Sequence, residues 1–233
     1  MPKLTWISDQ DLFKAVSDLL AVAGTAKTQA IQEFGKNVVD PFAALFEISG
    51  FEINYSEWVI SERARQSQKT LQNSIGVFHQ VILGSCAGWQ NMGIGNSIDL
   101  LNQGKKIIAE VKNKHNTITG GQLSVYYEHL ENLVMPNASV YKGYTVYYVA
   151  IIPKKPVRFD IEFTPSDRQT SSKKSKNGQI RHIDGASFYE LVTGEQNALE
   201  ELYDVLPSVI KVITGNDVQD IADLKTLFKK AYA

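Results

Sequence analysis

Apolar positions along the chain follow a helical spacing in some segments and form a nearly continuous run in another. Between residues 64 and 82 they recur in steps of three and four, the spacing of a helix with one buried face, and Gly84 ends this pattern. A second helix is predicted at about 122–134. Residues 144–152 are apolar almost throughout and lie between Gly143 and Pro153, which is typical of a strand covered on both faces. These elements predict a mixed α/β fold with a central sheet flanked by helices.

Residues 97–112 carry the most informative pattern, two short extended segments around a polar turn at 102–105. If Leu101 pairs with Ile108, the constant sum of residue numbers across an antiparallel hairpin places Asp99 opposite Glu110. Lys112 follows Glu110 on the same face, because side chains alternate along a strand. The other face would be an apolar layer formed by Ile98, Leu100, Ile107, Ala109 and Val111.

This arrangement of charges favours a metal site. Two opposed carboxylates destabilise a hairpin unless something lies between them, and hard cations such as Mg²⁺ bind carboxylate oxygens. A second interpretation stays open at this point. The segment can also be a solvent-exposed edge hairpin with an incidental salt bridge between Glu110 and Lys112.

The N-terminal 50 residues are predicted to be helical. Ser8 and Asp11 form a capping pattern for a first helix, which Gly24 would end, and a second helix is expected at 25–33. Asp40-Pro41 would begin a third short helix.

The C-terminal third mixes strands, a loop and helices. Helices are expected from about residue 195, with Pro207 starting a new helix and Asn216 capping the last one. Residues 166–178 are polar and rich in lysine, which predicts a mobile loop. Short strands are expected near 87–90, at 157–163 and at 179–183.

Composition limits the classes of protein that fit. The 233 residues, 43 % of them hydrophobic, suit a single domain over 1–233, divided into a helical part (1–50), a core (56–152), strands with a basic loop (153–185) and C-terminal helices (186–233). The net charge of −1 does not suggest a nonspecific polyanion binder. The single cysteine, Cys86, excludes an internal disulfide and a zinc site built on several cysteines, and it is expected to be a buried, inert thiol. No signal pattern or membrane-spanning run is present, so we expect a cytoplasmic protein.

The order of elements, with Asp99 on one hairpin strand and Glu110-Val111-Lys112 on the next, resembles the PD-(D/E)xK nuclease superfamily. Ile98 stands where that family usually has proline. The sequence around this motif resembles a group of type II restriction endonucleases that cut GGNCC-type sites, over roughly residues 56–213. The stretches that carry this resemblance are 68–73, 76–80, 108–114, 181–185 and 188–189.

The resemblance implies Mg²⁺-dependent hydrolysis of double-stranded DNA, with Mn²⁺ able to substitute and with 5′-phosphate products. Asp99, Glu110 and the main-chain carbonyl of Val111 would hold the metal, and Lys112 would orient the attacking water and stabilise the phosphate. An additional acid could come from the long helix, as Glu57 or Glu62, although an ordinary solvated helix charge is the favoured interpretation of each. A palindromic site further implies a homodimer, and a cognate DNA methyltransferase in the same prokaryotic cytoplasm.

Two segments are candidates for DNA contacts. The first follows the catalytic strand directly and contains Asn113, Lys114, His115 and Asn116. The second is the densest positive stretch of the chain, where a solubilising surface loop is the alternative; its members are Arg168, Lys173, Lys174, Lys176 and Arg181.

Other conspicuous side chains are expected to be structural. His79 is predicted to be a hydrogen-bonded structural histidine, and the tyrosines at 126, 127, 147 and 148 are predicted to lie in the core. Exposed-looking apolar residues near the C-terminus are one candidate for the dimer interface, namely Leu224, Leu227 and Phe228. Two alternative functions remain open, a structure-specific or repair nuclease and a noncatalytic DNA-binding module.

Overall fold

A computed structural model describes residues 2–32, 34, 38–93, 95–119, 121–167 and 172–232. The helices in this part of the chain are α1 (Asp9–Gln32), α2 (Pro41–Gly50), α3 (Tyr55–Gly84), α4 (Leu123–Val134), α5 (Gly185–Thr193), α6 (Ala198–Thr214) and α7 (Ile221–Ala231). The strands are β1 (Gln90–Asn91), β2 (Leu100–Asn102), β3 (Ile107–Lys114), β4 (Thr145–Ile152), β5 (Asp160–Glu162) and β6 (Ile180–Asp184). The predicted mixed α/β class, with a central sheet and additional N- and C-terminal helices, is confirmed.

The described residues form two compact units. One comprises residues 1–16 and 78–233 and contains the sheet, and the other comprises residues 17–77. In the smaller unit the Trp58 side chain is buried, stacks on Tyr55 and donates from Nε1 to Glu47 Oε2 at 2.8 Å. The interpretation of the chain as one domain stays a prediction.

The sheet has the strand order β1-β2-β3-β4-β6-β5 within the described residues. Strands β2 and β3 form an antiparallel hairpin in which Leu101 pairs with Ile108, so the predicted register is confirmed. Asn102 closes the turn, because its side-chain Oδ1 accepts a hydrogen bond from the Lys105 N–H at 2.9 Å.

The centre of the sheet is parallel. Helix α4 connects β3 to β4, and this crossover allows the two strands to run in the same direction, as the sequence predicts. Strand β6 then pairs in parallel with β4, while β5 pairs with β6 in antiparallel fashion. Strand β4 is buried along nearly its whole length, which explains its continuous apolar run.

Helix α4 covers one face of the sheet. It contributes Tyr127, Leu130 and Val134 to a buried cluster that includes Ile108 and Tyr148 from the strands. Ile98 belongs to this same cluster. The prediction that Ile98 shares a face with Leu100 is therefore wrong, because the backbone bends at Asp99 and the alternation of faces stops there.

Helix α5 supports the sheet by aromatic contacts. The Phe188 ring lies 5.9 Å from that of Tyr147 and 5.7 Å from that of Trp89, measured between ring centroids. The Tyr189 hydroxyl and His79 Nδ1 share a 2.8 Å hydrogen bond, in agreement with a structural role for His79. Cys86 is buried as predicted, and burial raises the pKa of its thiol to about 12.

Several predicted helix boundaries are wrong. Helix α1 continues through Gly24 to Gln32, because one glycine costs only about 1 kcal/mol inside a helix; Glu33, the predicted end of a second helix, lies outside the described residues. Pro207 lies within α6, whose buried side chains on both sides of it keep the helix continuous. Asp220, and not Asn216, precedes α7.

The predicted strand at 157–163 is shorter in the structure. The ladder begins only at Asp160, because the Phe159 N–H is bound by Asp184 Oδ2 at 2.5 Å and the Arg158 side chain pairs with Glu190. The ends of the basic loop are also paired, through a bridge between Ser166 and Lys173. Arg168 lies outside the described residues.

The predicted interface residues lie on helix α7. Phe228 packs against Tyr203 and Tyr232, so of the predicted interface residues only Leu224 and Leu227 are exposed large hydrophobics. Among the described residues, no helix is long and apolar enough to cross a membrane.

Candidate active site

Asp99 lies in a bend immediately before β2. Its N–H donates to the Ala109 carbonyl at 3.0 Å, next to the last pair of the ladder, Leu100 with Ala109. The ladder ends at Leu100 and Ala109, one pair before the predicted opposition of Asp99 and Glu110, which therefore stays a prediction. The Asp99 side chain continues the pairing instead, because its Oδ2 accepts a hydrogen bond from the Val111 N–H at 2.7 Å.

The structure nevertheless brings the three predicted catalytic side chains together. Glu110 and Lys112 project from the same face of β3, because they are two residues apart. Lys112 Nζ lies 2.8 Å from Glu110 Oε2 and 3.8 Å from Asp99 Oδ2. The ammonium group thus contacts one carboxylate and lies close to the other, at a site where Glu110 is buried and Asp99 is about one fifth exposed.

The Asp99 carboxyl has a perturbed affinity for protons. Burial, followed by the negative charge of Glu110, raises its pKa above the ordinary value. The Val111 N–H, the Lys112 ammonium and a side-chain hydrogen bond from Gln80 act in the opposite direction. Gln80 comes from the C-terminal part of α3, and the sequence did not identify it as a site residue.

Tyr126 is a second residue that the sequence analysis missed. Its hydroxyl donates to Glu110 Oε2 at 2.6 Å, and Lys112 Nζ lies 5.7 Å from the centroid of its ring. Burial and the charge of Glu110 raise the pKa of Tyr126 above its ordinary value, so the hydroxyl stays protonated and donates. The prediction of a core role for Tyr126 therefore holds for its partly buried ring but not for its hydroxyl.

The donor set fits a hard divalent cation. Among the described residues there is no group of three or more His, Cys, Asp or Glu side chains that could hold a metal ion. Two neighbouring carboxylates remain, and their mutual repulsion contributes to the raised pKa of Asp99. A cation between them would relieve that repulsion, so Asp99, Glu110 and the main-chain carbonyl of Val111 could supply its oxygen ligands.

The residues after Lys112 form the end of β3 and a turn. Lys114 and Asn116 are exposed, while Asn113 and His115 are partly buried. The His115 N–H donates to the Ile152 carbonyl at 3.0 Å, which extends the pairing of β3 with β4. This segment is therefore held firmly next to the three catalytic candidates.

Three described residues of the second DNA-contact candidate, Lys174, Lys176 and Arg181, lie within 4.0 Å of acids. Lys174 Nζ lies 2.6 Å from Glu128 Oε1 and 3.3 Å from Asp167 Oδ2, and Arg181 binds Asp160 at 2.9 Å. Lys173 is exposed, and Lys176 lies 4.0 Å from Glu162.

Arg181 is also on the opposite face from the site. It pairs in register with Tyr147, whereas His182 pairs with Tyr148 and Tyr148 with Glu110. Because neighbouring residues of a strand point to opposite faces, the Arg181 side chain projects away from the face that carries Glu110.

The two candidate acids of α3 have local partners in the smaller unit. Glu57 and Asn54 exchange reciprocal hydrogen bonds in a capping box at the start of the helix. Glu62 is buried, binds Arg65 with both carboxylate oxygens and accepts a hydrogen bond from Gln66. The hydrogen bond from Arg65 is the largest cause of the lowered pKa of Glu62. A role for either acid at the site stays a prediction.

Comparison with known proteins identifies the family. A family model described as Eco47II restriction endonuclease matches residues 4–215. The type II restriction enzyme Eco47II of Escherichia coli is 52 % identical over 213 residues, which cover 91 % of this chain and 89 % of that enzyme. The type II restriction enzyme Sau96I of Staphylococcus aureus is 32 % identical over 213 residues, covering 88 % of this chain and 78 % of that enzyme. The chain therefore belongs to the Eco47II restriction endonuclease family and is a site-specific DNA endonuclease.

Proposed function

We propose that the enzyme hydrolyses phosphodiester bonds of double-stranded DNA at a short palindrome of the GGNCC type, with Mg²⁺ as cofactor and with 5′-phosphate and 3′-hydroxyl ends as products. The catalytic centre in this proposal consists of Asp99, Glu110 and Lys112. The observation that supports it is the position of the Lys112 ammonium, 2.8 Å from one carboxylate and 3.8 Å from the other. Mn²⁺ is expected to replace Mg²⁺.

Asp99 and Glu110 have the role of metal ligands in this proposal, with the Val111 carbonyl as a third oxygen donor. When bound, the cation supplies Lewis acidity that lowers the pKa of water and neutralises charge on the phosphate. The Asp99 side chain is held for this purpose by the Val111 N–H and by Gln80. These contacts orient a ligand carboxylate without requiring the metal.

Lys112 acts on the attacking water and on the phosphate. Its ammonium donates to Glu110, and the Lys112 side chain is about one quarter exposed, so part of this side chain is accessible to DNA and water. On DNA binding the ammonium would hydrogen-bond a phosphate oxygen and stabilise the negative charge that grows on the pentavalent phosphorus. It would also orient the water for attack.

The segment that follows Lys112 selects the site of cleavage in this proposal. Lys114 and Asn116 are exposed and lie within four residues of Lys112, so they can reach phosphates or base edges next to the cut. Asn113 and His115 would complete this set. Contacts from Lys173, Lys174 and Arg181 would require the last two side chains to leave their acidic partners.

The palindromic DNA site also suggests the oligomeric state of the enzyme. Two-fold symmetry of the DNA is matched by two-fold symmetry of the protein, so we propose that the enzyme cuts as a homodimer. A DNA methyltransferase of the same specificity would protect the host genome without forming a stable complex with it.

The activity is tested by incubating the purified protein with unmethylated phage DNA and Mg²⁺ and sequencing the fragment ends. Discrete fragments that share one short GGNCC-type palindrome are expected. A smear, or cleavage only at junctions, would instead indicate a structure-specific nuclease. Absence of cleavage with every divalent metal tried would contradict the proposal.

Single substitutions test the catalytic residues. Glu110→Gln and Lys112→Ala should reduce cleavage by about 10³-fold or more, because they remove a ligand charge and the ammonium. Asp204→Asn is the matched control, since Asp204 is an exposed acid of α6 that pairs with Lys225. It should cleave like the unchanged protein, and normal cleavage by Lys112→Ala would exclude the proposed centre.

A further inference from the structure

Glu110 uses one carboxylate oxygen for both of its hydrogen bonds. Oε2 accepts from the Tyr126 hydroxyl at 2.6 Å and from the Lys112 ammonium at 2.8 Å. No described residue donates a hydrogen bond to Oε1. The carboxylate is therefore held through one oxygen, while the other has no donor within the described part of the chain.

The ring of Tyr126 contacts the second partner as well. Lys112 Nζ lies 5.7 Å from the ring centroid, within the distance at which a cation is attracted to an aromatic face. Tyr126 thus contacts both the carboxylate and the lysine that binds it. The ring itself is fixed by an edge-on contact with the buried Tyr148, with 5.4 Å between the centroids.

We propose that Tyr126 is a positioning residue, which fixes Glu110 Oε2 together with Lys112 and so leaves Oε1 to bind the divalent cation. This inference rests on the proposed function, because it assigns Glu110 to the metal. The helix α4, which crosses between β3 and β4, thereby contributes directly to the geometry of the site. Tyr126 itself does not contact DNA or metal in this proposal.

Two matched substitutions separate this role from general packing. Tyr126→Phe removes the hydroxyl and retains the ring beside Lys112. Tyr148→Phe removes the hydroxyl of the neighbouring buried tyrosine, which has no hydrogen-bond partner among the described residues. Both variants lose one oxygen atom and keep the aromatic ring, so the packing of the rings is preserved in each.

Binding of Mn²⁺ alone to the DNA-free protein, followed by electron paramagnetic resonance, is the first measurement. We expect Tyr126→Phe to weaken binding by about tenfold to a hundredfold, the usual effect of removing a group that orients a ligand. The Mg²⁺ concentration for half-maximal single-turnover cleavage should rise by a similar factor, and the rate at saturating Mg²⁺ should change much less. Tyr148→Phe should resemble the unchanged protein in both measurements.

Equal Mn²⁺ binding by Tyr126→Phe and Tyr148→Phe would overturn the inference. Failure of the proposed function is recognised separately, because Glu110→Gln would then still bind Mn²⁺ and cut DNA. If Glu110→Gln is inactive and Tyr126→Phe is unchanged in metal dependence, only the role of Tyr126 is excluded. Thermal melting of all three variants checks that each is folded.

Discussion

The Val111 N–H donates a 2.7 Å hydrogen bond to Asp99 Oδ2, and this bond connects the two strands of the active-site hairpin beyond the end of their ladder. Asp99 lies in a bend just outside β2, and its side chain provides the acceptor. The consequence is functional. The position of the Asp99 carboxylate is fixed by the backbone of the strand that also carries Glu110 and Lys112.

Asp99→Asn should abolish cleavage without destabilising the protein. Burial and Glu110 raise the pKa of Asp99, so its ionised form is less favourable in the folded than in the unfolded state. This cost is present at pH values above the native pKa, and it is removed when the group is neutral. The substituted amide retains an oxygen that can accept from Val111. We therefore expect a loss of cleavage of about 10³-fold or more and a melting temperature about 1 to 3 °C higher.

Cleavage assays and thermal melting at neutral pH measure the two effects. Asp204→Asn again serves as the control, because it neutralises an exposed acid outside the site. A clear decrease in melting temperature for Asp99→Asn, with Asp204→Asn unchanged, would contradict the assignment of a destabilising charge to Asp99.

Lys114→Ala should weaken DNA binding in a salt-dependent manner. Lys114 is exposed at the end of β3, two residues beyond Lys112. If it contacts a phosphate, its removal reduces the slope of log K against log salt by about one per protomer and affects cognate and noncognate DNA equally. Binding titrations at several salt concentrations measure this slope. Lys225→Ala, which removes a lysine paired with Asp204, should leave it unchanged.

Gly185→Ala should destabilise the fold. An added Cβ at Gly185 would lie 2.8 Å from Ile151 Cα, against the backbone of β4, so helix α5 would have to move away from the sheet. We expect a loss of about 1 to 3 kcal/mol in the free energy of unfolding, measured by denaturant titration. Gly178→Ala is the control because nothing lies within 4 Å of its added Cβ. Equal stability of the two variants would show that α5 can shift without cost.

Acidification should destabilise the protein through His79. Burial lowers the pKa of His79 from 6.5 to about 4. The stability that depends on its neutral form is thus present above pH 6.5 and is lost as the pH falls from there through about 4. Because the residue is only partly buried, we expect a contribution of about 1 to 2 kcal/mol between pH 7 and pH 5.

Denaturant titrations at these two pH values test the role of His79. His79→Gln should lose less stability on acidification than the unchanged protein, since glutamine does not titrate. The exposed His129 provides the control, and His129→Gln should retain the full pH dependence. The same pH dependence in both variants would assign the effect to other groups.

The sequence predicts local geometry well when neighbouring residues decide it. The pairing of Leu101 with Ile108 follows from a short hairpin and from alternation, and the parallel strand at 144–152 follows from its apolar run and the helical crossover. The boundaries at Gly24 and Pro207 were wrong because packing along a helix can outweigh one unfavourable residue.

The contacts of Gln80 and Tyr126 could not be predicted in this way. Each comes from a helix that is more than ten residues from the acid that it contacts, and the spacing of Tyr126 and Tyr127 does not distinguish the hydroxyl at the site from the one bound to Ser175. A helical pattern predicts which face is buried, but not which polar atom at the edge of that face meets a partner.

By itself, the sequence determined the chemistry of the hairpin, because two carboxylates and a lysine at this spacing must fall near one face of two adjacent strands. The tertiary structure decided how those groups are held. At the bend, the Asp99 side chain is the acceptor for the Val111 N–H. Helix α4 places the Tyr126 hydroxyl on Glu110. Such contacts depend on the distance between elements that packing brings together, and no local pattern records that distance.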